Sequence, residues 1–226
     1  MPNATKRAAV LSPGQIRHLL RVTEATSRHR ERDAVILLLG LSVGMRITEV
    51  AQITVADVMF RSGVLRTEVS LRAAITKGCR RRAVYFSARK LVDAIERYLE
   101  FRVAHDLGTT LDRSHFRGLI PDLPLILSRK GYPYALNRKM RIAADGEQID
   151  YWAADSLQAY VTGLYKGAGL KASSHSGRRT FATRLLGRGA TIEQVQMLLG
   201  HESIDDTRRY IDVDKEVLCR ILEDAI

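Results

Sequence analysis

The chain has few cysteines, and the two it has, Cys79 and Cys219, carry no CxxC or histidine-flanked spacing. That excludes a recognisable zinc site and a disulfide framework, and it suits a reducing cytoplasm. Long hydrophobic runs are also missing. The longest, Ala34 to Leu39, has the length of a core helix segment, against the ~20 residues a membrane span requires. Met1 to Val10 lacks the apolar stretch of an export signal. No P-loop is present, carboxylates are not clustered as a metal site would need, and no internal repeat or low-complexity tract occurs. The expectation is a soluble cytoplasmic protein that uses no metal, nucleotide or other cofactor.

Acidic residues are the other shortage. Asp and Glu number 25 against 36 Lys and Arg, a formal net charge of +11 over 226 residues. Each Lys or Arg that neutralises a phosphate releases a condensed counterion, so this excess points to a nucleic-acid partner, although a merely basic soluble protein would share it. With 46% hydrophobic residues the chain is globular rather than disordered, and it is long enough to bury a core.

Punctuation along the chain predicts a mainly α protein with a small antiparallel β-sheet. Ser12-Pro13-Gly14-Gln15 combines an N-cap, a proline at the first helical position and a capping-box glutamine, opening a helix to about Thr26. A second runs from about Glu31 to Gly44, and a short third begins at Arg46. Residues 64–76 and 83–86 read as strands around a turn at Lys77-Gly78-Cys79. A helix follows from Ala88 to about His105. Residues 125–134 read as irregular, Ala135 to Ile142 as a helix, and Ala143 to Tyr151 as a loop. Further helices are expected from Asp155 to about Lys166, Ser176 to Leu186 and Thr191 to Gly200. Two more are expected, one capped by Ser203 and carrying Tyr210, the other an amphipathic segment from Asp214 to Ile226.

The chemistry-bearing residues are Arg46, Lys77, His175, Arg178, His201 and Tyr210. Two arginines, two histidines and a tyrosine can break a phosphodiester without a metal. Charge accumulates on the equatorial oxygens in the in-line transition state, and fixed cations stabilise it. Arginine stays protonated and forks onto two oxygens at once. A tyrosine hydroxyl, with a pKa near ~10, needs a base or a positive field. His175 can accept a proton, His201 can donate to a non-bridging oxygen, and Lys77 on its turn can protonate the leaving 5′ oxygen. Covalent attachment through tyrosine conserves the bond energy for a second 5′ hydroxyl.

These residues resemble the catalytic domain of the tyrosine recombinases, the phage integrase family. Gly44-Met45-Arg46-Ile47-Thr48-Glu49-Val50, running on to Asp57, resembles the first arginine box. Thr76-Lys77-Gly78 with Arg81 and Arg82 resembles the β-hairpin lysine. His175, Arg178, Leu199-Gly200-His201-Glu202-Ser203, Thr207 and Tyr210 resemble the second box. The separations also fit: three residues from His175 to Arg178, twenty-three to His201, and nine more to Tyr210. Two positions depart from the pattern. Gly177 stands where the family usually has leucine, which would loosen the helix start by ~1 kcal/mol relative to alanine, and Arg179 replaces a frequent second histidine.

The resemblance covers about residues 10–215 and implies a single catalytic domain over residues 1–226, with only about ten residues before it and without the family's N-terminal DNA-clamping domain. By it, Arg46, Arg178 and His201 bind the scissile phosphate and Lys77 is the general acid. His175 assists proton transfer, and Tyr210 is the nucleophile of a 3′-phosphotyrosyl bond. Glu49 orients the arginine and histidine. Arg80, Arg81, Arg82 and Arg179 are expected as DNA-contacting residues. The implied partner is double-stranded DNA, bound by a dimer at each site and a tetramer in synapsis, in association with the nucleoid. Without the clamp, DNA would be held by an accessory DNA-binding protein, by the N-terminal segment, or through weak binding rescued by cooperativity, and the segment 214–226 would dock on its own core or on a neighbouring protomer. Two competing readings are a relaxing enzyme of the type IB topoisomerase kind, which shares the chemistry, and a non-catalytic helix-turn-helix regulator. The regulator has no need of Arg46, Lys77, His175 and Tyr210 together.

Overall fold

The computed structural model describes residues 8–76, 80–142, 148–201 and 207. Lys77, Tyr210 and the segment 214–226 therefore lie outside the described residues, as does most of the helix expected after Ser203.

Helix α1 (Pro13–Thr26) starts as its sequence dictates. Ser12 Oγ accepts from the Gln15 amide, and the Gln15 side chain accepts from the Ser12 amide. Helix α2 (Arg30–Val43) is the axis of the molecule. It buries Val35 to Leu39 without a break, together with Leu41 and Val43, the all-round apolarity of a helix with protein on every side. It packs against α1, α5 (Arg89–Ala104) and α7 (Ser176–Leu186). Short helices α3 (Ile47–Gln52) and α4 (Val55–Val58) follow. Strands β1 (Glu68–Leu71) and β2 (Arg82–Tyr85) pair antiparallel, with Val69 opposite Val84. Helix α6 (Asp155–Gly167) lies between a second hairpin and α7, and α8 (Ile192–Leu199) is the last described helix.

The main core gathers Leu19, Leu37, Leu39, Ile53, Leu91, Ile95 and Leu99, all fully buried. At ~1.5–3 kcal/mol for each such side chain, this core holds the elements that carry the site. A smaller cluster of Ala182, Val195 and Leu199 joins α7 to α8.

The expected fold class is what is observed, with two small sheets rather than one among the described residues. Two local expectations are corrected. Residues 137–142 form strand β3 (Asn137–Ile142), not a helix, and the last four residues of the expected loop after it, 148–151, belong to β4 (Gln148–Ala153). Ala135, Leu136, Arg138, Lys139 and Met140 are good helix formers, but pairing with the β-favouring Ile149, Tyr151 and Trp152 overrides that local preference. In the first sheet only Glu68–Leu71 of residues 64–76 is strand, and Ala73–Ile75 is a turn of 3₁₀ helix. Among the described residues no helix is long and apolar enough to cross a membrane.

Candidate active site

Gly44 ends α2 in the left-handed conformation (φ 68°), with its amide on the Gly40 carbonyl and the Met45 amide on the Leu39 carbonyl. A Cβ on Gly44 would stand 2.5 Å from Phe181 on α7, so glycine is required by backbone and space alike. The chain leaves α2 there and enters α3 two residues later, making Arg46 the N-cap of α3. A cation is unfavourable at a helix start, and Glu49 in the first turn answers it. Its carboxylate accepts the Arg46 amide at 2.7 Å and Arg46 Nη1 at 3.0 Å.

Arg178 reaches the same place from α7. Its guanidinium is buried and donates to the Gly44 carbonyl (2.6 Å) and the Leu199 carbonyl (2.7 Å). Two of its N–H groups thereby fix the plane of the remaining donors relative to the ends of α2 and α8. Helix α7 can lie this close to α2 because Gly177 faces Gly40. A Cβ on Gly177 would meet the Gly40 backbone at 3.2 Å and the Tyr165 hydroxyl at 3.2 Å. The glycine that departs from the family pattern is thus a close-approach residue, not a loose helix start.

Gly200 (φ 62°) closes α8 and turns the chain into His201. The His201 amide donates to the Gln196 carbonyl, the Gln196 side chain returns a bond to the His201 carbonyl, and His201 Nδ1 lies 2.8 Å from the buried Thr207 hydroxyl. Both backbone and ring of His201 are held. His175, the N-cap of α7, is crowded by protein yet keeps an exposed edge. Partial burial and then the nearby Arg178 and Arg46 push its pKa below the ordinary histidine value. A neutral ring beside two arginines suits a proton acceptor.

Glu49 is fully buried. Burial opposes its charge, but Arg82, Arg178 and Arg46 together outweigh that and hold its carboxyl below the usual carboxylate range. Thr76 Oγ1 donates to the Arg80 carbonyl at 2.6 Å, joining the described residues on either side of 77–79. A cavity of about 370 Å³ opens between these parts, its wall including Arg46, Thr76, Arg80, Arg81, Gly200 and His201. A second cavity, about 600 Å³, lies between β2 and α7 with mainly apolar walls, and its described lining includes none of Arg46, His175, Arg178 and His201. Arg46 and His201 line the smaller one.

Arg46, His175, Arg178, His201 and Glu49 come together from three segments: the start of α3, the start of α7 and the end of α8. Lys77 and Tyr210 lie outside the described residues. Arg80 and Arg81 are exposed beside the cavity, as a DNA contact requires. Arg82 and Arg179 correct the sequence reading, for both are buried. Arg82 donates to Glu49 and to the Leu198 carbonyl, and Arg179 to the Ala8 carbonyl. The run Arg80-Arg81-Arg82 looks uniform, but strand alternation was the available signal. It puts Arg82 on the inward face with Val84, while Tyr85 turns outward.

Residues 9–217 match the model of the phage integrase family. The tyrosine recombinase XerD of Xanthomonas campestris pv. campestris is 28% identical over 218 residues, which are 96% of this chain and 58% of that protein. The chain thus spans little more than half the length of that relative. Among solved structures, a XerA recombinase crystal structure aligns with a TM-score of 0.67 at 22% identity, covering 97% of this chain and 65% of that one. A post-cleavage complex of the XerH site-specific recombinase with its palindromic difH substrate aligns with a TM-score of 0.65 at 21% identity, covering 98% and 55%.

Proposed function

The chain belongs to the phage integrase family, and from that we propose that it is the catalytic domain of a site-specific recombinase that cleaves and rejoins duplex DNA through a 3′-phosphotyrosyl intermediate. The observation that carries this reading is the meeting of Arg46 and Arg178, far apart in sequence, at one buried carboxylate beside His175 and His201.

In the proposed step the Tyr210 oxygen attacks phosphorus and the bond to the 5′ oxygen breaks. The phenol proton passes to His175, and Lys77 supplies a proton to the leaving oxygen. Arg46, Arg178 and His201 hold the non-bridging oxygens as charge builds on them. In rejoining, a 5′ hydroxyl attacks the phosphotyrosine and the protons return. The roles of Lys77 and Tyr210 rest on the family pattern of the sequence. Double-stranded DNA is the substrate, with Arg80 and Arg81 on its backbone. A dimer on each site and a tetramer in synapsis are the proposed assemblies.

Nicked duplexes tiling the DNA that flanks the coding region test the reading, because the nick lets a short 5′ fragment diffuse away and traps the covalent complex. Wild-type protein is expected to give an adduct that survives denaturation. Tyr210→Phe is expected to bind the same duplex and give none. A wild-type protein that binds a duplex without ever becoming attached to it defeats the proposal.

A further inference from the structure

Arg82 opens β2 with its side chain turned into the protein, only 5% exposed. Its guanidinium joins three segments. Nη2 lies 2.5 Å from Glu49 Oε2 and Nε 3.4 Å from Oε1, so it grips the carboxylate that also holds Arg46. Nη1 donates to the Leu198 carbonyl at 2.7 Å, at the C-terminal end of α8 where a helix favours a cation. The aliphatic stem lies against Gly200, where a Cβ would come within 2.6 Å of Arg82 Cδ. The residue after Gly200 is His201.

We propose, building on the strand-transfer reading above, that Arg82 is a positioning residue of the cleavage step. It locks Glu49, and through it Arg46, in register with Gly200 and His201 without touching the phosphate itself. The planar fork is essential, because one guanidinium must hold a carboxylate and a carbonyl in different directions. A lysine ammonium is a point charge on a flexible stem and cannot fix both. Arg82 also matters electrically. Arg46, Arg82 and Arg178 surround Glu49, and Arg82 is its strongest attraction. Without Arg82 the carboxylate pulls harder on the two arginines meant for phosphate, and it takes up a proton at higher pH.

The test uses single-turnover cleavage of the nicked duplex that wild-type protein attacks, measured across pH at saturating DNA. Affinity is measured against salt in parallel, with Arg82→Met, Arg82→Lys, Glu49→Gln and the double variant Arg82→Met/Glu49→Gln. Arg82→Met is expected to cleave about a hundredfold more slowly, the scale of a small misplacement of reacting groups. Its affinity and salt slope stay those of wild type, and its acid limb moves to higher pH. Arg82→Lys recovers only part of the rate and keeps the fold. The double variant, with no stranded carboxylate, is no slower than Arg82→Met and loses the shifted acid limb.

Three results overturn the proposal. One is a salt slope reduced by about 0.9, the signature of a lost phosphate contact, with cleavage at saturation intact. Another is a rate loss that follows thermal instability with the acid limb unmoved. The third is full activity in Arg82→Lys. A wild-type protein that forms no adduct on any duplex sinks the strand-transfer reading itself, and is told apart because no variant comparison can then be made.

Discussion

Two buried arginine–carboxylate clusters lie at opposite purposes in this fold. In one, Arg32 and Asp33 at the start of α2 pair with each other, and every group in reach closes the circuit. Arg32 donates to the Tyr160 hydroxyl (2.6 Å), which in turn donates to Asp33, and Ser27 donates to Asp33 as well. Burial, then the bond to Asp33, pushes the Tyr160 phenol up to about 12, so it stays a neutral donor. One positive and one negative charge cancel. At the candidate active site, among the described residues, Arg46, Arg82 and Arg178 face the carboxylate of Glu49, three charges against one. The first cluster is complete. In the second, Glu49 offsets part of the positive charge of the described arginines, and an anionic phosphate would neutralise more of it. A buried ion pair by itself therefore says nothing of function; the charge left over does.

The sharpest break of this comparison is to remove one cation from the surplus. Arg178→Ala should lower single-turnover cleavage about a thousandfold, the upper scale for losing a donor aimed at transition-state charge, with duplex binding retained in a gel-shift assay. The matching change in the neutral cluster should do the reverse. Asp33→Asn leaves the buried Arg32 without its countercharge and should cost about 3–5 kcal/mol of stability in denaturant unfolding. The cleavage rate of the molecules that remain folded should stay unchanged. If Asp33→Asn instead slows cleavage at full stability, the two clusters are coupled and the division fails.

A smaller effect concerns pH. The depressed pKa of His175 means the ring is still neutral below its ordinary value of 6.5. Cleavage should thus hold level as pH falls through 6.5 and decline only below it. That decline should vanish in His175→Gln, whose rate is lower throughout. The depressed Glu49 carboxyl stays ionised as pH falls through the usual carboxylate range, and its charge is lost only below that, as pH passes its folded pKa. The two groups therefore define separate acid limbs. The smallest effect is on binding alone. Arg80→Ala and Arg81→Ala, at exposed positions, should each reduce the slope of log affinity against log salt by about 0.9, leaving cleavage at saturating DNA unchanged.

What the sequence made legible was local. Ser12 with Gln15 and Thr191 with Gln194 form the capping boxes their spacing announces, and Gly44 and Gly200 end their helices as glycines do. The first arginine box was readable because Arg46 and Glu49 are one helical turn apart. What escaped was decided by distant partners. The helix expected at 135–142 became a strand because residues 148–153 pair with it. Arg179 looked like a surface charge beside Arg178, and nothing near it in sequence pointed to a carbonyl at residue 8. Gly177 looked like a weak helix start, and only its facing Gly40 explains it.

That grip on residue 8 has a mechanical meaning. Arg179 holds the Ala8 carbonyl, and the neighbouring Thr180 hydroxyl accepts the Leu11 amide at 2.9 Å. The polypeptide ahead of α1 is thus tethered at two points to the turn of α7 that bears Arg178. A tug applied there reaches the first turns of α7, where Arg178 sits, through these two hydrogen bonds.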